Sequence, residues 1–418
     1  MIYKSFIPVS KDSDFPIQNL PYGVFTRNKQ PEEFLIGCAI GDLILNLSEL
    51  EKRGMIQLLK PVFQGQRSLN AFMALGKKEW TRVRERISSL LREDNPILRD
   101  QVDLRSRVFE RQSEVTMQMP AEIGDYTDFY SSAQHATNIG VMIRDKNNPL
   151  LPNWKHLPVA YHGRASSVVV SGHPIRRPQG QILRGENQPV LAPCERLDFE
   201  MEMAFLVGTG NALGSPIPLQ ETEDHIFGFV MMNDWSARDI QRWEYQPLGP
   251  FVSKSFVTSV SPWVVPLAAL EPFRTEGPVQ DPVPLSYLQQ QQGSKNHYSL
   301  QLEVLLKTAK SEQPERISLG NMKSLYWSIQ QQLAHHSVTG CNMRTGDLVA
   351  SGTISGDDPS SYGSLMELAW NATKPLVLKN GETRTFLQDG DQVVMRAYAE
   401  TGDYRIGFGE LRGTVQAS

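Results

Sequence analysis

Residues 197–205 read LDFEMEMAF, and this short stretch indicates the class of fold. Asp198, Glu200 and Glu202 occupy the even positions, and apolar residues occupy the odd ones. A β-strand points successive side chains to opposite faces, so the stretch predicts a strand with one acidic and one apolar face. The acidic face is either simply solvated or a cation site, because stacked like charges repel and a divalent ion neutralises them.

The chain around this strand has a similar character from about residue 119 onward. Short runs of β-branched and aromatic residues recur between glycines and prolines, as in IFGFVMMND at 226–234 and QVVMRAYAE at 392–400. Two stretches have helical spacing instead, at 236–246 and about 321–334. The pattern predicts a large mixed or antiparallel β domain interrupted by a few helices.

The first part of the chain predicts a smaller, separate unit. Residues 33–46 are two apolar runs joined by a Gly-Asp turn signal, which is typical of a hairpin. Residues 80–91 carry apolar side chains at helical spacing. Because 418 residues exceed one ordinary core, we expect two domains, residues 1–118 and residues 119–418.

Composition excludes several classes of function. With 40% hydrophobic residues, 21% charged residues and a net charge of -4, the chain is typical of a soluble globular protein without a basic surface for nucleic acid. No apolar run is long enough to suggest a membrane span, and the N-terminus lacks the apolar core of a secretion signal. Three widely spaced cysteines fit a reducing compartment, so we expect a cytoplasmic protein.

A crowded polar and aromatic stretch, DYTDFYSSAQHATNIG at 125–140, indicates a functional site. It shows neither the period of an amphipathic helix nor the alternation of a strand, so we interpret it as a loop. His135 lies within it. From these residues alone, His135 is a base, a metal ligand or an incidental loop histidine.

Further charged residues follow the acidic strand. Asp234 ends the apolar run 226–233, which predicts a buried strand. Acidic residues at the ends of strands lie at the mouth of a β domain, where ligands commonly bind. On the helix predicted next, one face presents Arg238, Gln241 and Tyr245, and Lys254 follows closely. Carboxylate ligands without paired histidines or cysteines favour a hard ion, Ca²⁺ or Mg²⁺, rather than zinc.

Five stretches together resemble the fumarylacetoacetate hydrolase family. They are GDYTDFYSSAQHATNIGVMIR (124–144), LPVAYHGRASSVVVSG (157–172), LDFEMEMAF (197–205), NDWSARDIQRWEYQPLGPF (233–251) and VASGTISG (349–356). The resemblance covers nearly the full length and includes the N-terminal segment. It implies a mostly β fold with some α: an SH3-like N-terminal barrel followed by a C-terminal mixed β-sandwich roll, assembled as a homodimer.

The same resemblance implies an activity and a substrate class. Members hydrolyse the carbon–carbon bond of 4-fumarylacetoacetate to fumarate and acetoacetate, the last step of tyrosine and phenylalanine catabolism. The expected partner is thus a small dianionic diketo acid, with neither a membrane nor nucleic acid involved.

The resemblance also implies roles for individual residues of this sequence. Divalent-metal ligands (Ca²⁺ or Mg²⁺) are implied at Asp128, Glu200, Glu202 and Asp234, and a second cation site at Asp234, Lys254 and Thr258. Substrate contacts are implied at Tyr130, Arg144, Tyr161, Gln241, Tyr245 and Thr353. His135 is implied as the general base with Glu367 as its orienting carboxylate, and Arg238, Gln241 and Lys254 are chemically suited to stabilise an oxyanion.

Two residues depart from the family pattern, and two alternatives stay open. Ala133 stands where family members carry arginine, and Val257 where they carry glycine. The first alternative is another activity on the same scaffold, such as acylpyruvate hydrolysis or a hydratase or decarboxylase of 2-oxo acids, although such relatives usually lack the N-terminal domain. The second is a metal-stabilised binding protein without catalysis, which the presence of His135, Glu367 and Lys254 disfavours.

Overall fold

The first part of the chain forms an antiparallel sheet, called here the N-terminal sheet. The computed structural model describes residues 3–185 and 188–418, so the first two residues of the predicted N-terminal domain lie outside the described residues. In spatial order, the strands of this sheet are Phe109–Arg111, Leu43–Asn46, Gln30–Ile40, Tyr22–Arg27 and Val115–Gln118. The predicted hairpin is confirmed, and its turn contains Gly41 at a φ of 54°, a left-handed conformation that glycine adopts without strain.

The second part of the chain is built around a larger sheet, called here the central sheet. Its strands, in spatial order, are Ala160–Gly163, Tyr126–Phe129, Leu348–Ala350, Met201–Val207, Ile226–Asn233, Thr258–Val260 and Val168–Val170, with Val265–Pro266 paired to Ile226–Asn233. Most pairs are antiparallel, but Tyr126–Phe129 runs parallel to Leu348–Ala350, and Thr258–Val260 runs parallel to Val168–Val170. The expected mixed sheet is therefore observed.

A third sheet, called here the outer sheet, completes the large β unit. Its strands are, in order, Glu315–Asn321, Gln301–Lys307, Gln392–Glu400, Arg405–Gln416 and Ile175–Arg176. The same part of the chain also contains short two-stranded sheets: Gln179–Arg184 with Gln188–Pro193, Leu197–Asp198 with Ser236–Ala237, Arg274–Thr275 with His297–Tyr298, and Leu376–Val377 with Thr383–Arg384.

The helices are mostly short and connect the strands. They span Leu47–Lys52, Asn70–Met73, Lys77–Leu91, Pro96–Arg99, Val102–Val108, Ala133–Ile143, Thr222–His225, Arg238–Glu244, Val252–Ser255, Leu267–Leu270, Ile329–Ser337 and Leu365–Leu368. Lys77–Leu91 confirms the helix predicted from spacing, and its apolar stripe is buried. Within the described residues, none of the helices has the length and the hydropathy needed to cross a bilayer.

The central sheet is covered on both faces. Met201, Met203 and Phe205 belong to the main core, which also contains inward-facing residues of the outer sheet. Their neighbours Ala204 and Leu206 point to the opposite face and join a second core with the N-terminal part of the chain. The predicted alternation is therefore present over Met201–Val207, but this strand does not extend back to Asp198 as predicted. However, every residue of the strand Met201–Val207 is buried, so the acidic face is not a solvated surface.

The interpretation of residues 125–140 as a loop is wrong. Residues Tyr126–Phe129 form a buried strand, and Ala133–Ile143 form a helix whose N-cap is Ser132. The side-chain oxygen of Ser132 accepts a hydrogen bond from His135 N at 3.3 Å. This helix buries polar side chains, among them His135 and Asn138, on the same face as its apolar ones. The hydrophobic residues of this helix alone therefore do not show a helical period.

Candidate active site

Three acidic side chains from different parts of the sequence meet at one end of the central sheet. Asp128 lies on the strand Tyr126–Phe129, Glu202 on Met201–Val207, and Asp234 directly after Ile226–Asn233. Each offers one carboxylate oxygen, and these three atoms lie within 4.8 Å of one another. All three residues are buried, so the sheet holds three carboxylates together away from water.

This acidic cluster has the properties of a cation site. Burial, followed by the charge of neighbouring carboxylates, raises the pKa of Asp128 and of Glu202 well above the usual range. Asp128 Oδ1 and Glu202 Oε2 are buried and, within the described residues, have no hydrogen-bond partner. Buried carboxylate oxygens without partners are costly unless a cation binds them. The residues therefore fit a hard divalent ion, whose preferred ligands are oxygen atoms.

Glu200 lies beside this cluster between two cations. Its Oε1 forms an ion pair with Arg238 Nη2 at 2.7 Å, and its Oε2 contacts Lys254 Nζ. Burial disfavours the charged form, but Arg238 and Lys254 outweigh burial and lower the pKa of Glu200. Glu200 is thus an ionised carboxylate, and its role as a metal ligand stays a prediction.

The three residues of the implied second cation site are in contact. Lys254 Nζ donates a hydrogen bond to Asp234 Oδ2 at 2.5 Å, and Thr258 Oγ1 donates to Asp234 Oδ1 at 3.1 Å. Burial lowers the pKa of Lys254, but the carboxylates of Asp234 and Glu200 outweigh it and raise the pKa overall. The ammonium group therefore stays protonated between Glu200 and Asp234.

Asp198 does not join the acidic cluster, although it shares the alternation of Glu200 and Glu202. Its Oδ2 accepts a hydrogen bond from Arg238 Nε at 2.9 Å, and its two oxygens also accept from the backbone N–H groups of Leu365 and Met366. The strand ends at Asp198 and a new one begins at Met201, which separates Asp198 from the other acids. Asp198 instead orients Arg238 towards Glu200.

His135 forms a buried pair with Glu367. The distance between His135 Nδ1 and Glu367 Oε2 is 2.7 Å, and His135 Nε2 lies 3.9 Å from Glu200 Oε1. Burial alone raises the pKa of Glu367, but the interaction with His135 and several hydrogen bonds lower it overall. An ionised Glu367 accepts a hydrogen bond from His135 Nδ1–H, so it holds the imidazole in the tautomer whose Nε2 carries a lone pair.

Three polar residues that the sequence analysis did not identify hold Glu367. Asn138 Nδ2 donates to Glu367 Oε1 at 2.9 Å, Ser355 Oγ donates to both oxygens at 2.9 and 3.0 Å, and Ser364 Oγ donates to Oε2 at 2.8 Å. Ser364 is the N-cap of the helix Leu365–Leu368. The spacing Ser-x-x-Glu at 364–367 is a known signal of a helix start and was available in the sequence.

Two of the three tyrosines implied as substrate contacts lie at the same site. Tyr161 donates from its hydroxyl to Asp234 Oδ2 at 2.7 Å and to Asp128 Oδ2 at 3.1 Å, so it supports the acidic cluster directly. Tyr130 is half-buried, and its ring contacts that of His135 edge to face, with centroids 5.3 Å apart. Both tyrosines therefore border the space between the cluster and the imidazole.

The other implied contacts are more dispersed. Gln241 accepts from Arg238 Nη1 at 3.2 Å, and Tyr245 follows on the same helix end, half-buried. Arg144 ends the helix that carries His135, is exposed, and makes no side-chain ion pair within the described residues. Thr353 is buried in the loop after Leu348–Ala350.

The two departures from the family pattern occupy ordinary apolar environments. Ala133 is the first residue of the helix that carries His135, and it packs against a small aromatic cluster that contains Trp154 and Tyr326. Val257 is buried in the main core next to Thr258. Neither side chain displaces one of the polar groups described above.

Comparisons with known proteins agree with the resemblance seen in the sequence. A family model described as "Fumarylacetoacetase N-terminal" matches residues 18–120, and one described as "Fumarylacetoacetate (FAA) hydrolase C-terminal" matches residues 125–416. Proteins named fumarylacetoacetase are 55% identical in Rattus norvegicus, over 416 residues, and 55% identical in Homo sapiens, over 415 residues. In both cases the match covers 98% of each chain.

A solved structure shows the same fold at much lower identity. The fumarylacetoacetate hydrolase from the psychrophile Exiguobacterium antarcticum gives a TM-score of 0.52 at 17% identity, with 96% of this chain and 100% of that chain covered. The two proteins therefore share a fold although their sequence identity is low. Both parts of the chain match a family model, and the full-length relatives exceed half identity, so this chain belongs to the fumarylacetoacetate hydrolase family.

Proposed function

We propose that this chain hydrolyses the carbon–carbon bond of 4-fumarylacetoacetate and releases fumarate and acetoacetate. The observation that carries the proposal is the His135–Glu367 pair, at 2.7 Å, beside a buried cluster of three carboxylates. This pair supplies a base, and the cluster supplies a cation site. The relatives that are 55% identical over nearly the whole chain are named fumarylacetoacetase, which supports this substrate.

The base activates water in the first step. Glu367 keeps the Nδ1 proton of His135 in place, so Nε2 accepts a proton from a water molecule. The resulting hydroxide attacks a carbonyl carbon of the substrate and creates an oxyanion. Arg238 and Lys254 lie within contact distance of Glu200 beside His135, so both positive charges are placed to stabilise this oxyanion.

The second step breaks the carbon–carbon bond. The leaving acetoacetate fragment carries its electron pair as an enolate, and the protonated His135 can return a proton to it. A divalent cation held by Asp128, Glu202 and Asp234, with Glu200 as a further ligand, supplies Lewis-acid stabilisation of negative charge when it is bound. Arg144 has an unpaired guanidinium within the described residues and suits one carboxylate of a dianionic substrate.

The finer features of the proposal have separate support. Ca²⁺ or Mg²⁺ is favoured because the cluster offers carboxylate oxygens alone. An SH3-like barrel over residues 1–118, followed by a catalytic domain over residues 119–418, is supported by the N-terminal sheet and by the two family models. The sequence resemblance supports a homodimer, and the three widely spaced cysteines support a cytoplasmic location. Light scattering of the purified protein tests the dimer.

Product analysis tests the proposed activity directly. We expect the purified protein, supplied with Mg²⁺ or Ca²⁺, to remove the absorbance of the conjugated diketone and to form fumarate and acetoacetate in equal amounts, as measured by NMR. An acylpyruvate serves as the comparison substrate. Faster hydrolysis of the acylpyruvate, or no fumarate, would overturn the assignment.

A further inference from the structure

Glu244 joins two segments of the active site without touching its centre. It is the last residue of the helix Arg238–Glu244, and its carboxylate accepts hydrogen bonds from three successive backbone N–H groups. Phe251 N lies 2.7 Å and Ser253 N 2.9 Å from Oε1, and Val252 N lies 3.1 Å from Oε2. Ser253 Oγ donates to Oε1 as well, at 2.5 Å. The Glu244 carboxylate thus accepts four hydrogen bonds from residues 251–253.

The segment that Glu244 holds carries Lys254. Lys254 directly follows Ser253, and its buried ammonium contacts Glu200 and Asp234. Within the connection between the helix and Lys254, Gly249 N also donates a hydrogen bond to Tyr245 O at 2.7 Å. Residues 246–248 are exposed, and Leu248 and Phe251 are 94% and 71% exposed, so the connection has little apolar packing of its own.

We propose that Glu244 is a positioning residue that acts on the hydrolysis through Lys254. The helix Arg238–Glu244 carries Arg238 and Gln241, whereas Lys254 lies beyond the exposed connection. Because hydrogen bonds to an ionised acceptor are stronger than neutral ones, the carboxylate ties the Lys254 segment firmly to this helix. Small displacements of a charged donor reduce stabilisation of the transition state steeply. The inference rests on the proposed function, in which Lys254 stabilises an oxyanion.

The chain contains a matched control in Glu51. It lies near the end of the helix Leu47–Lys52 and also accepts from three successive backbone N–H groups, those of Val62, Phe63 and Gln64, at 2.9, 2.9 and 2.7 Å. Glu51 belongs to the N-terminal part of the chain, which supplies none of the site residues. E51Q therefore measures the general cost of weakening such a connection.

The kinetic test compares E244Q, E51Q, K254M and the double variant E244Q/K254M in the full-length, metal-loaded enzyme. We expect E244Q to lower kcat by about tenfold with little change in KM, and E51Q to leave both constants near those of the wild type. In the K254M background, E244Q should have almost no further effect, because it acts through Lys254. A wild-type kcat in E244Q, or full additivity with K254M, would overturn the proposal.

Hydrogen exchange separates a failure of this inference from a failure of the proposed function. We expect backbone amides of residues 251–255 to exchange faster in E244Q than in the wild type and in E51Q. If the wild type does not hydrolyse the substrate, the proposed function fails, and the exchange rates still report whether Glu244 holds the segment. Unchanged exchange in E244Q would refute the positioning role by itself.

Discussion

His135 is the residue whose chemistry can be separated most clearly from the metal site. Its Nδ1 is engaged by Glu367, and it is not one of the three carboxylate-bearing residues of the cluster. We expect H135A to lower kcat by at least about a hundredfold, because a general base contributes that much or more. Metal content by elemental analysis and the circular dichroism spectrum should remain those of the wild type.

A companion variant sharpens the test of the base. S355A removes one donor to Glu367 and leaves the imidazole in place. We expect a smaller loss of kcat than in H135A. Normal turnover in H135A would show that another group activates water.

Metal retention depends on the acidic cluster and is measurable without turnover. Glu202 Oε2 is buried without a partner in the described part of the chain, so E202Q removes a charge that only a cation balances. We expect E202Q to lower the affinity for Mg²⁺ and Ca²⁺ by more than about tenfold in calorimetric titrations. E200Q should weaken retention as well, if Glu200 is the further ligand that the resemblance implies.

The control for both variants is E315Q, because Glu315 lies on the outer sheet and accepts a hydrogen bond from the backbone N–H of Lys379. Its metal affinity should equal that of the wild type. Full occupancy in E202Q would refute the acidic cluster as the metal site, and full occupancy in E200Q alone would exclude Glu200 from the ligands.

At the scale of elements, the helix Ala133–Ile143 depends on close approach to the chain at Pro149. A Cβ added to Gly140 would lie 2.1 Å from the carbonyl oxygen of Pro149, a backbone atom that cannot rotate away. We expect G140A to destabilise the protein by about 1–3 kcal/mol in urea unfolding, as overpacking commonly does. Activity should also fall, because the helix carries His135.

Gly402 provides the comparison for this helix. An added Cβ there meets nothing within 4 Å, and its φ is not in the left-handed region. We expect G402A to leave the free energy of unfolding within about 0.5 kcal/mol of the wild type. Equal stability of G140A and G402A would contradict the close approach.

At the scale of the whole molecule, one aromatic side chain of the central sheet packs among three aromatic rings of the N-terminal part. The ring centroid of Phe227, on the strand Ile226–Asn233, lies 5.7 Å from that of Tyr22, 5.6 Å from Phe72 and 5.3 Å from Trp80. The second core therefore contains residues from both parts of the chain. We infer that the two parts unfold together.

Truncation of Phe227 tests this coupling. We expect F227A to lower the free energy of unfolding by about 3–5 kcal/mol, with one transition seen by both tryptophan fluorescence and far-UV circular dichroism. L213A is the control, since Leu213 is 79% exposed. Two separated transitions in the wild type would show that the N-terminal part folds independently.

The sequence by itself determines several of the local secondary-structure elements and the family of this protein. The alternation at Met201–Phe205, the helix near residues 80–91 and the Gly41 hairpin are all predictable from the sequence, because each depends on local periodicity or backbone preference. The long motifs also identified the family. The candidate residues came largely from that resemblance, since no single segment contains the site.

The tertiary structure alone decided which polar groups meet. Asp128, Glu202 and Asp234 are brought together by strand pairing, whereas Asp198, two residues from Glu200, is turned towards Arg238 by a strand break. The helix that carries His135 was missed, because it buries polar residues that pair with distant partners such as Glu367. Local sequence encodes the direction of a side chain, but the partner of a buried charge is set by contacts between segments far apart in the chain.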